Sequence, residues 1–306
     1  GFDYHYKKTT DMLFELNVPT YIGQSKPYGN LGTMENWGLE FEIGWKDNIK
    51  DFSYWFNANA SYAKNKLIEL GNASGEQNYE SAGASGVGDY VHAKNGEVWP
   101  YFYGYKTNGL FQNQQEVDSY VNAQGEKMQP SAQPGDVRFV DFNGDGRITD
   151  EDRTKIGKGM PDWTFGFSLG AEWKGFDLSM AWQGTIGNDV FDFAQRGDVP
   201  AMNRPSWIMD RWHGEGTSNT IPRMTSANPN GNWKSSDIYI HNGSYLRLKN
   251  AQIGYTLPQH LTRLASIQRL RVYVGAENLN TLAAVKSNNE LIADVIAALE
   301  SPIMNV

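Results

Sequence analysis

The 306-residue chain contains no cysteine, which excludes disulfide scaffolds, zinc–cysteine sites and thiol catalysis. No window approaches 18 consecutive apolar residues, so no transmembrane helix is expected. The five histidines, His5, His92, His213, His241 and His260, fall at no metal-ligand spacing, so zinc is not expected. Phosphate-cradling glycine loops and dinucleotide fingerprints are missing, and Ser85 lies in Gly-Ala-Ser-Gly, not in a nucleophile elbow. Excess positive charge is lacking too. A formal net charge of -8 argues against nucleic acid as a partner. With neither signal peptide nor initiating Met, the chain reads as the interior or C-terminal part of a longer protein.

What is abundant is aromatic side chains, at 13% of residues, and long runs of strict alternation. Trp163, Phe165, Phe167, Leu169, Ala171 and Trp173 alternate with Thr164, Gly166, Ser168, Gly170 and Glu172. Period two means a strand with one apolar and one polar face. Lys174-Gly175 then makes a two-residue turn, and Phe176, Leu178, Met180 and Trp182 return against Asp177, Ser179, Ala181 and Gln183. Trp173 and Phe176 flank the turn and are both apolar, so the register closes with like faces together. Soluble strands run to about five or six residues, whereas a membrane-spanning strand needs about nine to eleven. Trp at both ends of such a run matches the aromatic girdle of an outer-membrane barrel, and small polar residues opposite suit its interior.

A second such strand runs over 37–45 (Trp37, Leu39, Phe41, Ile43, Trp45), with a polar turn at 46–51. Its partner follows, with Phe52, Tyr54, Phe56, Ala58, Ala60 and Tyr62 on one face. Trp55 interrupts the polar face of that partner. Phe2, Tyr4 and Tyr6 predict a further strand. The proline- and glycine-rich stretch 26–33 reads as a loop. Strand character resumes over 99–111, and a short helix is expected near 116–121. In the strand over 245–257 the apolar phase shifts, which predicts a bulge near Lys249-Asn250. Leu270, Val272, Val274 and Ala276 form the last strand. Short connections (46–51, 174–175, 258–268) alternate with long ones (70–90, 185–237), the asymmetry of short periplasmic turns and long external loops.

Ahead of the hairpin stands Asp-Phe-Asn-Gly-Asp-Gly-Arg-Ile-Thr-Asp-Glu-Asp, residues 141–152. Asp141, Asn143 and Asp145 occupy positions 1, 3 and 5 of an EF-hand-type loop, and Gly146 supplies the turn at position 6. Arg147 offers a backbone carbonyl, Thr149 reaches through water, and Asp152 stands where the usual loop has a bidentate Glu. Ile148 anchors the loop on apolar surface. Structural Ca²⁺ is the expected ligand; the alternative is a pair of Asn-Gly and Asp-Gly turns with no ion. Trp99, Tyr101, Trp207, Trp212 and Trp233 are candidate platforms for sugar rings or peptide side chains, against the plainer reading of girdle or loop packing. Glu40 and Glu42 lie two apart on one strand face. A retaining glycosidase needs carboxyls about 5 to 5.5 Å apart, usually from different strands, so the pair reads as the lining of a wet lumen and no enzyme is expected.

Several segments, in order, resemble SusC/RagA-type TonB-dependent outer-membrane transporters. They include Met34-Glu35-Asn36-Trp37-Gly38-Leu39-Glu40, the loop 141–152, Pro161-Asp162-Trp163-Thr164-Phe165-Gly166 and Lys174-Gly175-Phe176-Asp177-Leu178. Gly187-Asn188-Asp189, Ser244-Tyr245-Leu246-Arg247-Leu248-Lys249-Asn250, Arg271-Val272-Tyr273-Val274 and Glu277-Asn278-Leu279 complete the set. The resemblance implies an all-β fold: residues 1–282 as C-terminal strands of a 22-stranded antiparallel transmembrane barrel, with plug and TonB box upstream. It implies import of glycans or peptides across the outer membrane, driven by the TonB complex, beneath a SusD-like surface lipoprotein. The tail 283–306 departs from the family. Leu291, Ile292, Val295, Ile296 and Leu299 recur at helical spacing, with Asn289 as N-cap and Pro302 as stop. The rival reading is a soluble, calcium-stabilised β-sandwich that binds carbohydrate. It requires the apolar strand faces to meet each other, whereas a barrel turns them outward.

Overall fold

The computed structural model describes residues 1–15, 27–79, 89–192, 206–225, 227–263 and 266–283. In chain order the strands are β1 (Phe2–Glu15), β2 (Tyr28–Ile49), β3 (Phe52–Glu69), β4 (Glu76–Tyr79), β5 (Val91–Lys94), β6 (Tyr101–Gly104) and β7 (Thr107–Leu110). Helix α1 (Gln114–Ser119) precedes β8 (Val137–Phe139), β9 (Thr154–Gly157), β10 (Trp163–Trp173), β11 (Phe176–Ile186), β12 (Asp189–Phe191), β13 (Ile240–Asn242) and β14 (Tyr245–Thr256). A one-turn helix α2 (Gln259–Thr262) leads to β15 (Arg271–Ala283).

Seven long strands form one antiparallel sheet in the order β1-β2-β3-β10-β11-β14-β15. Their lengths, 22 residues in β2 and 11 in each of β10 and β11, exceed the usual strand by twofold or more. The register is the one the alternation demands: Trp173 pairs with Phe176 and Trp163 with Ile186. The expected phase shift is present as a break in pairing between Leu248 and Asn250. Had β14 continued unbroken, Leu246 and Leu248 would have joined the polar face. No helix among the described residues is long and apolar enough to cross a membrane.

Four expectations of local structure differ from what is observed. Residues 28–33 are strand, because Tyr28, Gly29 and Asn30 pair with Glu15, Phe14 and Leu13. The glycines that suggested a loop make room instead: a Cβ on Gly32 would fall 2.0 Å from the Phe14 ring. The 46–51 turn shrinks to Lys50-Asp51, since β2 pairs through Ile49. The 99–111 segment is no wall strand. It splits into β6 and β7, which belong to small sheets at the loop end, and α1 begins two residues earlier than expected. The helix expected within 283–306 lies outside the described residues, apart from Ala283 at the end of β15.

The buried core does not lie under the long sheet. Phe14, Leu67, Leu70 and Ala93 form one cluster, with Met12 and Trp99 packed on it. Tyr105, Leu110, Val137 and Phe139 form a second, flanked by Ile148, Trp212 and Ile238, and Phe111, Val117 and Ala132 a third. The first sits where the loop ends of β1 and β3 meet β5, and the other two belong to the cap that the long connections build at the loop end.

Candidate functional site: a two-faced wall and its cap

Take the apolar face of the wall first. Register places Trp45, Phe56, Leu169, Met180, Ala251 and Ala276 in one row across six strands. The row nearest the turns is Ile49, Phe52, Trp173, Phe176, Tyr255 and Val272. Toward the loops, Tyr4, Leu39, Tyr62, Trp163 and Ile186 align. On this face Ile43 is 63% exposed, Trp45 61% and Val274 71%, while Tyr62, Trp163, Leu169 and Met180 are half-buried against neighbouring strands. Aromatic rings gather at both ends. Tyr62 lies 4.9 Å from Trp163 and 5.6 Å from Trp37, and Phe176 lies 4.5 Å from Tyr255 (ring centroids). From Trp163 to Trp173 the strand covers about 33 Å, or about 25 Å along the normal of a sheet tilted ~40°. That matches the apolar band of a membrane barrel.

The other face is polar and shallow. Lys46, Trp55, Gly170, Ser179, Gln252 and Gly275 form one row, and Asn48, Ser53, Glu172, Asp177, Gly254 and Tyr273 the next. Trp55 lies flat on the wall because its cross-strand partner has no side chain. A Cβ on Gly170 would approach the Trp55 indole nitrogen to 2.4 Å. Toward the turn end, Arg271 donates from Nε to Asp177 Oδ1 at 2.9 Å and also reaches Oδ2, while the Gln252 carbonyl accepts from the same guanidinium at 2.9 Å. This charge-assisted pair locks β11 to β15 across β14. Together with Trp55, Glu172, Ser179 and Arg269 it lines a recess of about 670 Å³. Glu40 and Glu42 sit on this face in β2, opposite Ser61 and Asn59, and Glu40 Oε1 lies 3.9 Å from His5 Nδ1 of β1, both side chains exposed to solvent.

At the loop end the expected ion loop is drawn tight by its own backbone. Asp141 accepts from the amides of Gly144 (2.7 Å), Asp145 (3.2 Å) and Gly146 (2.7 Å). Asp152 is fully buried and accepts from Phe142 (2.8 Å), Asn143 (3.3 Å) and Thr149 (2.7 Å). Asn143 and Asp145 each turn one oxygen onto the amide two residues on. Gly144 and Gly146 have φ of 78° and 82°, and a Cβ on Gly146 would lie 2.9 Å from Asn122, so position 6 needs glycine twice over. Among the described residues no group of three or more His, Asp or Glu side chains is drawn together as an ion would require. The donors are of the right kind for a hard cation, three carboxylates and an amide, with each carboxylate turned toward backbone N–H groups.

No family model matches the chain. A TonB-dependent receptor, P3, of Formosa agariphila is 30% identical over 289 residues, covering 92% of this chain and 27% of that protein. The TonB-dependent receptor SusC of Bacteroides thetaiotaomicron is 27% identical over 285 residues, covering 91% and 26%. The RagAB peptide importer in its open-open state has a TM-score of 0.69 at 21% identity, over 94% of this chain and 29% of that one, a likeness of fold. This chain belongs to the SusC/RagA-type TonB-dependent receptors. It spans about a quarter of the length of the curated relatives it matches.

Within this receptor segment the five candidate rings do not form one surface. Tyr101 and Trp233 are buried, 4% and 5% exposed, and a buried ring packs instead of stacking on a ligand. Trp99 packs edge-on against Phe14 at 5.9 Å, and Trp212 packs on the second core cluster. Trp207 lines a cleft of about 280 Å³ with Thr220, Ile221, Pro222, Ile238, Tyr239, Asp192 and His241. His241 Nε2 is 3.7 Å from Asp192 Oδ2 at its edge.

The cap also holds what alternation could not show. Asp136, fully buried, accepts from Arg223 Nε (2.6 Å) and Nη2 (3.2 Å), from Asn232 Nδ2 (2.9 Å) and from the Gln133 amide (2.9 Å). Asn232 Oδ1 in turn accepts from the Val137 amide at 3.0 Å. The Tyr105 hydroxyl donates to Asp150 at 2.7 Å, and burial together with that carboxylate pushes its pKa up. These contacts tie the ion loop, β8 and the 223–239 connection into one body.

Proposed function

We propose that the chain is part of the wall and outer cap of a closed 22-stranded outer-membrane barrel. The whole protein imports glycans or peptides with energy from the TonB complex and a SusD-like lipoprotein over its mouth. The observation that carries this is the apolar face: Trp37, Phe41, Ile43, Trp45, Leu178 and Val274 stand exposed. A sandwich would bury them against a second sheet; lipid is the other solvent for such a surface. The long connections then face outward from the cell and the two-residue turns face the periplasm. Transport needs no covalent chemistry. The polar face supplies a wet passage wall, and the cap supplies recognition. Trp207 is the ring proposed for the cargo, with Asp192 and His241 beside it for hydroxyl or amide groups.

Detergent dependence of the full-length protein tests this reading. It is expected to require detergent or bilayer and to migrate faster unheated than boiled on a denaturing gel. A monomer freely soluble in plain buffer at high concentration would sink it. Deleting the locus is then expected to abolish growth on its glycan or peptide only while TonB is intact.

For the ion, the support is the spacing of Asp141, Asn143, Asp145 and Asp152 and the left-handed Gly146. Ca²⁺ held by these oxygens and the Arg147 carbonyl would neutralise carboxylates that backbone amides and the Asn143 side-chain amide now serve. Titration calorimetry is expected to show Ca²⁺ binding that Asp141→Ala and Asp145→Ala each weaken at least tenfold, with faster amide exchange over 141–152. Unchanged heats in either variant would leave the loop as a pair of Asx turns.

A further inference from the structure

At the loop-end edge of the apolar band the outward face changes character within two residues. Tyr6, Trp37 and Lys64 align across β1, β2 and β3, and the next outward row is Lys8, Glu35 and Lys66. One row further on stands Glu69, opposite Thr33. Lys64 Nζ sits 5.6 Å above the Tyr62 ring and 2.5 Å from Asp162, whose same oxygen is shared by Lys158. Lys8 lies 3.9 Å from Glu35, and Lys66 is exposed with no carboxylate partner among the described residues. With Glu69 counted, four lysines face three carboxylates, Glu35, Asp162 and Glu69, a local excess of one positive charge on a chain whose net charge is -8.

We propose that this belt, Lys8, Lys64, Lys66 and Lys158, docks the phosphorylated headgroups of outer-leaflet lipid. The proposal rests on the barrel reading and adds a partner to it. Its argument is position. One row is two residues, about 6.6 Å along a strand and about 5 Å along the membrane normal at barrel tilt. The headgroup layer beyond each side of the hydrocarbon core is about 5–7 Å thick. Ring pairs at Trp37, Tyr62 and Trp163 mark the edge of the core, so the lysine row falls in the layer where lipid phosphates lie. Lysine stems cross the aromatic edge while their ammonium groups reach the anions. Asp162, shared by two lysines, draws both ammonium groups onto one oxygen and leaves each with donors to spare.

The test uses the full-length protein in nanodiscs of phosphatidylcholine with a minority of bisphosphorylated lipid A, read by native mass spectrometry of retained lipid. A basic side chain near an anionic surface contributes on the order of fivefold in binding. Wild type is expected to enrich lipid A at least about fivefold over the bulk mixture. The quadruple variant K8Q/K64Q/K66Q/K158Q is expected to lose that enrichment, and the matching lysine-to-arginine variant to keep it. Enrichment surviving in the glutamine variant overturns the proposal, as does displacement of lipid A by millimolar inorganic phosphate, which would mark a free-anion site. A glutamine variant that still migrates as a heat-modifiable barrel but retains no lipid A supports it. A wild type that never enters the nanodisc fails the barrel reading itself, a separate outcome.

Discussion

In the long sheet large apolar side chains stand exposed: Ile43, Trp45 and Val274 each show more than half their surface. In the cap, Phe111 and Phe139 show 1% or less, and so do the polar Asp136, Asp152 and Asn232. One chain thus contains two solvents' worth of architecture. The wall is held by antiparallel hydrogen-bond ladders across seven strands, interrupted only at local register shifts; on the proposed barrel reading that is what a lipid setting demands, because in hydrocarbon an unpaired amide costs several kcal/mol and burial of apolar surface from water contributes nothing. The cap has short strands in small sheets. It gains from the hydrophobic effect and must satisfy each buried polar group by a side chain.

Breaking the cap at its most connected polar group gives the largest expected effect. Asp136→Ala leaves the Arg223 guanidinium, the Asn232 amide and the Gln133 amide without their acceptor. Removing one partner of a buried ion pair costs about 3–5 kcal/mol. Hydrogen exchange in detergent is expected to accelerate over 129–139 and 223–239 while β10 and β11 keep their protection. Loss of protection in both regions together would show that the two are one cooperative unit.

The wall answers to a different substitution. Leu169→Arg puts a guanidinium at mid-strand on the apolar face, which costs about 2–4 kcal/mol at a bilayer midplane. Ser168→Arg, one residue away on the polar face, is expected to cost less than about 1 kcal/mol. Reversible folding into liposomes, titrated with denaturant, measures both. Equal penalties would mean that the two faces share one environment and that the sheet is not a membrane wall.

The same division explains what the sequence discloses. Alternation in 163–183 and 37–62 gives strands, register and face, because each residue's environment in the wall depends only on its parity. Even the bulge in β14 is legible, as a change of parity between Leu248 and Ala251. The cap obeys no such rule. Its fold depends on pairings such as Asp136 with Arg223, 87 residues apart, which no local pattern encodes. The ion loop is readable because its oxygens are local, whereas the convergence of the carboxylates is not. Of the five rings chosen for their chemistry, Tyr101 and Trp233 went to packing, since an aromatic ring offers the same signal to a core as to a cargo. Trp55 carried a signal that was half read: an aromatic residue out of phase, with the Gly170 that receives it lying on another strand.

The smallest effect expected is a pH response confined to the cap. His92 is buried, with Nδ1 2.6 Å from Asn78 Oδ1 and its ring stacked 4.2 Å from Tyr103, over which Arg153 also lies. Burial lowers its pKa below the ordinary 6.5; Glu76 works against the shift, and Lys94 and Arg153 work with it. A group whose folded pKa is depressed binds its proton more readily when unfolded, so the folded cap gains relative stability as pH rises. That contribution is complete above pH ~6.5 and is lost as pH falls through the lower folded value. Amide exchange over 91–103 is therefore expected to accelerate between pH 7.5 and 5.5, while β10 and β11, which contain no histidine, show no matching change in protection. His92→Gln retains a donor toward Asn78 and cannot titrate; it is expected to flatten the response. A variant that keeps the full pH dependence would move the cause from His92 to another group of the cap, with His241 beside Asp192 the next to substitute.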